Sequence, residues 1–98
     1  MTKKPYEPLL IPPGAKKFGG VEVLRAGVAE QNLTMSIRRA FDDPAAWGVL
    51  LATAGRQVAR IYASETGAKE DEVCAKILAS FQAEMSSAED LGTITAAR

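Results

Sequence analysis

The sequence predicts an α+β fold: a β-hairpin packed on two α-helices, in the order ββαα. Apolar and polar residues alternate through residues 21–41, the period of a ribbon with one buried face. Apolar residues then recur at steps of three and four from Trp47 to Tyr62, and again from Val73 to Met85, the period of amphipathic helices. With 98 residues, 47% of them apolar and 24% charged, the chain has the make-up of one folded domain with a small core.

Residues 1–20 are expected to form a Pro-rich extended arm. Pro5, Pro8, Pro12 and Pro13 fix φ and remove backbone donors. Lys3, Lys4, Lys16 and Lys17 keep the arm hydrated, yet Tyr6, Leu9, Leu10, Ile11 and Phe18 are too apolar for an inert tail. Leu9, Leu10 and Ile11 are therefore expected against the body of the protein or against a neighbouring subunit. They can also add a short third strand, which Pro8 and Pro12 confine to a sheet edge. As a ligand for a Pro-reading domain the arm has a poor repeat.

Residues 21–86 are expected to form the single domain. In the hairpin, Val28 opposite Leu33 brings Ala26 to Met35, Leu24 to Ile37 and Glu22 to Arg39. One side of the ribbon is then apolar and ends in a pair of opposite charges. A slip by one residue would scatter that set over both faces. Residues 29–32 form the turn, with Asn32 best suited to a left-handed conformation. The other side carries Val23, Arg25 and Gly27 against Thr34, Ser36 and Arg38.

The first helix is the centre of the chain. Asp43 suits the N-cap and Pro44 the first helical position, while Gly67 supplies a left-handed stop. Trp47, Leu50, Leu51, Ala54, Val58, Ile61 and Tyr62 make its apolar face. Trp47 is expected to anchor the hairpin to the helices, its indole N–H on a carbonyl or water. Beside that face runs a stripe of small residues: Ala45, Gly48, Ala52, Gly55, Ala59 and Ala63. Each glycine costs about 1 kcal/mol relative to alanine inside a helix, which a closely approaching backbone would offset. Either the second helix of the same chain or another subunit can supply it. The second helix begins near Lys69, with Glu70, Asp71 and Glu72 favoured by the dipole of its first turn. Val73, Cys74, Ile77, Leu78, Phe81 and Met85 form its apolar stripe, and residues 87–98 are expected to be a flexible tail.

These residues resemble a family of short bacterial proteins known only as a domain of unknown function. The likeness runs from about Val21 to Met85 and is most specific at Asp43-Pro44, Ala46-Trp47-Gly48, Leu50-Leu51, Arg56 and Arg60. Relatives of that pattern often carry histidine near Gln57 and serine near Lys69. The departures here count against a histidine-based site and remove a good N-cap. The resemblance implies a small cytosolic bacterial protein and no activity.

The residues themselves point away from catalysis. The sequence has no histidine, so the usual general base and commonest metal ligand are missing. Cys74 reads as a structural thiol within an apolar stripe, and a single cysteine excludes an internal disulfide framework. The Asp42-Asp43 pair reads as a cap with a solvated neighbour. The acidic run at Glu70 is too tight for a calcium loop, and the glycines match neither a P-loop nor a dinucleotide fingerprint. No enzyme activity, cofactor or metal is expected.

Net charge is zero overall, but residues 1–60 carry nine Lys and Arg against five Asp and Glu, a net of +4; residues 61–98 carry three against seven, a net of −4. No apolar run has a membrane-spanning length or the pattern of a signal peptide, so a cytoplasmic protein is expected. A lone ribbon leaves both edges unpaired, which favours a homodimer. The expected function is thus a non-catalytic, homo-oligomeric interaction module, with an unlike protein as the other partner to consider. Its candidate interface is Leu9, Leu10, Ile11, Gly48, Ala52, Gly55 and Ala59. The alternative is a nucleic-acid-binding protein that sets Arg25, Arg38, Arg56 and Arg60 on phosphates. Zero net charge and the lack of interleaved aromatic residues count against it.

Overall fold

The computed structural model describes residues 5–87 and, for its backbone, the strand at residues 93–97. The elements are α1 (Pro13–Phe18), β1 (Leu24–Ala29), β2 (Asn32–Arg38), α2 (Ala45–Thr66), α3 (Glu70–Met85) and β3 (Thr93–Ala97). The hairpin and the two long helices stand in the order ββαα, an α+β fold as the periodicities predict.

The arm is not extended throughout. Pro13 opens α1 at the first helical position, where a missing N–H costs nothing and the fixed φ suits a helix. The Lys16 N–H donates to the Pro12 carbonyl at 3.1 Å and the Gly19 N–H to the Ala15 carbonyl at 2.9 Å. Gly19 then leaves the turn at φ 77°. The prolines that argue against a helix at residues 5–12 thus start one at Pro13. Residues 1–4, with Lys3 and Lys4, lie outside the described residues.

In the hairpin, β1 and β2 pair antiparallel with Leu24 opposite Ile37, Ala26 opposite Met35 and Val28 opposite Leu33, the register set by the apolar pattern. The turn is tighter than expected. Ala29 pairs with Asn32, which leaves a two-residue loop with Glu30 at φ 50° and Gln31 at φ 66°. Two left-handed residues match the twist of the strands, so the left-handed role falls on Glu30 and Gln31. Asn32 stays in the strand and donates its side-chain amide to the Glu30 carbonyl at 3.3 Å. The expected Glu22–Arg39 pair is also corrected. Because β1 begins at Leu24, Glu22 lies before the strand and meets Arg25 instead, three residues along.

The third strand comes from the other end of the chain. Backbone pairing runs β1-β2-β3, with β3 parallel to β2 and Ile94 in register with Met35. Parallel neighbours need a long crossover, and α2 with α3 supply it. Residues 93–97 therefore form a strand where a flexible tail is expected. The alternating β-branched Thr93, Ile94 and Thr95 suit one. The rest of that tail beyond Ser87 lies outside the described residues.

The helix ends follow the local chemistry. The Ala45 N–H donates to Asp43 Oδ1 at 2.9 Å, while Pro44 already holds helical angles. Gly67 closes α2 in the left-handed conformation, its N–H on the Ala63 carbonyl at 3.2 Å. Lys69 precedes α3 without a side-chain cap, and Glu70, Asp71 and Glu72 occupy the first turn.

The helices pack on each other, and the strands pair with one another. The two layers meet at one corner, where the Trp47 indole N–H donates to the Arg39 carbonyl at 2.9 Å. There the rings of Trp47 and Phe41 lie edge to face, with centroids 5.4 Å apart. Trp47 is thus the anchor its position predicts. Between that corner and β2, Ala40 turns the chain at φ 55°. Among the described residues, no Cα of α2 or α3 lies within 8 Å of a strand Cα. The tie between the helices and the hairpin is the Trp47 contact at this corner.

Candidate interaction surface

The small-residue stripe on α2 divides between two surroundings. A Cβ on Gly55 would stand 3.6 Å from Ile77 Cγ2, and Ala59 is fully buried. Both sit at the α2–α3 contact, so the second helix of the same chain occupies this half of the stripe. Ala52 and Gly48, about one and two turns nearer the N-terminus than Gly55, are exposed. A Cβ at Gly48 would meet nothing within 4 Å.

Most of the large apolar residues among the described residues are only partly covered in a single chain. On α2, Val58, Ile61 and Tyr62 are exposed, and on α3 so are Leu78, Phe81 and Met85. Of the second helix's expected stripe, Val73, Cys74 and Ile77 alone are half-buried. On the ribbon, Val28 is 76% exposed, and Leu33 opposite it is exposed as well. The helical spacing identifies these residues as apolar rows. It does not distinguish a row covered by its own chain from one left open.

The arm behaves in the same way. Leu9 is 92% and Leu10 94% exposed, and Ile11 is also open. They line the outer wall of a cleft of about 600 Å³ whose inner wall is Leu24, Arg25 and Ala26 of β1. One residue ties the arm down. A Cβ on Gly27 would lie 2.9 Å from Tyr6 Cε1 and 3.2 Å from its hydroxyl, so glycine makes room for the ring on the polar face of the ribbon. Glycine inside a strand is the signal for such an approach.

The four arginines divide between the ribbon and α2. Arg25 meets Glu22 through two hydrogen bonds, Nε to Oε1 at 2.9 Å and Nη2 to Oε2 at 3.0 Å. That carboxylate, and then the Tyr6 hydroxyl, raise the guanidinium pKa above its usual value. A raised value keeps the guanidinium charged, and the pairing intact, throughout the neutral range. Arg38 Nε donates to the Glu22 carbonyl at 3.4 Å. On the other layer, Arg60 lies 3.8 Å from Glu70, and Arg56 is exposed. No group of three or more Cys, Asp and Glu among the described residues is placed to hold a metal ion.

The surface as a whole is too large for a self-contained chain of this size. The solvent-accessible area is 8898 Å², whereas a compact 10.4 kDa monomer exposes about 5,400 Å². The radius of gyration is 15.5 Å, against about 13 Å for a compact domain of this length.

Fold and surface together define a small α+β chain whose apolar rows are incompletely covered by its own residues. The chain belongs to the family described as Domain of unknown function (DUF5076), whose model matches residues 8–89, as the resemblance at the Asp43–Trp47 segment implied. It is also similar to a solved structure described as a "putative pyruvate dehydrogenase" from the photosynthetic bacterium Rhodopseudomonas palustrus CGA009. The identity is 36% and the TM-score 0.71, over 91% of this chain and 96% of that one. Among curated proteins none matches significantly. No helix of the described residues is long and apolar enough to cross a membrane.

Proposed function

We propose that this chain is a non-catalytic, cytoplasmic interaction module that works as a homodimer, a second copy covering the apolar rows that one chain leaves open. The observation that carries this reading is the excess surface. The 8898 Å² exposed is about 3,500 Å² beyond the expectation for a compact monomer. Isolated apolar residues on a surface are ordinary, but apolar residues exposed at helical spacing, as Leu78, Phe81 and Met85 are, suit an interface.

A net of +4 on residues 1–60 against −4 on residues 61–98 adds support, since a second copy presents the opposite charge to each half. The residues gathered on the polar face of the ribbon are Tyr6, Glu22, Arg25 and Arg38. They form an ion pair with its hydrogen-bonding neighbours, and we assign them no step of catalysis. The name of the structural neighbour speaks of that protein. Phosphate binding by the arginines has weaker support, because Glu22 holds Arg25 and accepts from Arg38 through its carbonyl.

Light scattering on the eluting peak of a size-exclusion column tests the proposal. The expected result is twice the 10.4 kDa chain mass with no excess absorbance at 260 nm. A monomer at micromolar concentration would overturn it. A peak rich in 260 nm absorbance that loses it at high salt would favour the arginines instead.

A further inference from the structure

We propose that the two copies exchange layers: the α2–α3 pair of one chain lies on the apolar face of the other chain's sheet. The inference rests on the homodimer reading above and specifies its geometry.

Two faces in each chain are open and mutually complementary. The ribbon offers Leu24, Ala26 and Val28 paired with Ile37, Met35 and Leu33, and Val28, Ala26 and Leu33 remain exposed. The helix pair offers Leu78, Phe81 and Met85, the last 73% exposed. A sheet with one apolar face and helices with an apolar row are stable only when packed on another layer. Among the described residues no helix Cα comes within 8 Å of a strand Cα, and although Leu24, Met35 and Ile37 are half-buried, Ala26, Val28 and Leu33 stay exposed, so the chain's own helices leave part of the sheet's apolar face open. A second copy supplies both missing layers at once. The exchange is self-complementary and closed, as a two-fold dimer requires.

The junction between the layers is fixed locally. Ala40 turns the chain at φ 55°, and the hydrogen bond from Trp47 to the Arg39 carbonyl fixes the entry of α2 at the corner. Area distinguishes exchange from a simpler contact. A standard interface covers about 800 Å² per partner, enough for one helix stripe or one strand edge. The accessible area here exceeds the compact-monomer expectation by about 3,500 Å² per chain, which leaves room for an interface larger than that standard size.

The test uses the full chain in a Cys74→Ser background, with Met35→Cys in one preparation and Leu78→Cys in another. The two are unfolded together, refolded, and treated with a short bismaleimide. Exchange predicts a covalent dimer containing one chain of each kind, and far less product from either preparation alone. If a third preparation, with Met35→Cys and Leu78→Cys in the same chain, links within itself and the mixture gives no covalent dimer, exchange is wrong. In that case a dimeric mass would leave the homodimer reading standing, and a monomeric mass would remove both. Should the variants fail to fold, the wild-type chain serves, as a mixed dimer of labelled and unlabelled copies. Nuclear Overhauser contacts between Val28 or Met35 methyls and the Phe81 ring must then cross between chains. Contacts confined to one chain would overturn the proposal.

Discussion

Tyr6, Gly27 and Trp47 each hold a joint of the molecule, by different physics. The Gly27 Cα leaves room that an alanine Cβ would take from Tyr6 Cε1, 2.9 Å away. Gly27→Ala is expected to free the arm without unfolding the domain, because alanine also stiffens the strand by about 0.5–1 kcal/mol. Chymotrypsin should then cut faster after Tyr6 while the thermal midpoint holds or rises; unchanged cleavage would show that the ring does not depend on this space. Trp47 acts through its N–H as well as its ring. Trp47→Phe keeps the edge-to-face contact with Phe41 and loses the hydrogen bond to the Arg39 carbonyl. Urea titration should report a loss of about 1 kcal/mol. That the Trp47 N–H would seek a carbonyl or water was legible in the sequence, because a covered indole donor needs an acceptor; that the acceptor is the Arg39 carbonyl was not. The place of Tyr6 was not, since it depends on where a distant strand puts its glycine.

At the scale of elements, the β-turn and α2 carry strain and spare propensity that substitutions can expose. Glu30 and Gln31 both hold positive φ, a conformation that side chains with a Cβ adopt reluctantly. Replacing them by Glu30→Asn and Gln31→Gly gives the residues this turn prefers. A gain of about 1 kcal/mol is expected in a urea titration, and a loss would mean that the loop holds another turn type. On α2 the two glycines should respond in opposite directions. Gly55→Leu pushes into Ile77 and should destabilise the helix pair by about 1–3 kcal/mol, because Gly55 faces its own chain's α3. Gly48→Ala meets open space and should gain up to about 1 kcal/mol from helix propensity. If it instead lowers the solution mass, a second copy closes on that turn. The stripe was visible in the sequence as a unit. Its division at Gly55 was not, because spacing along one helix says nothing of where a neighbour begins to cross it.

The whole molecule is the scale at which stability is decided. A chain that buries Ala59 alone among its described residues has little apolar burial to set against the entropy of folding. Folding and association should therefore be one transition, and the thermal midpoint should fall on dilution. A midpoint independent of concentration would mean that one chain is stable alone. Phe81→Asp offers a second reading of the same point. Phe81 is exposed in one chain, so a monomer should tolerate the change, whereas a dimer that buries the ring should dissociate or fail to fold.

The sequence by itself determined the local structure. Period-two alternation set the hairpin register, steps of three and four set α2 and α3, and Asp43 and Gly67 set the ends of α2. Each depends on residues a few positions apart, whose interactions the chain order fixes. Only the tertiary structure decided that β3 rather than the arm becomes the third strand, that α3 takes Gly55 and Ala59, and that the two layers stay open to each other. Those outcomes depend on contacts between segments far apart in the chain, where an apolar row carries the same pattern whichever surface covers it.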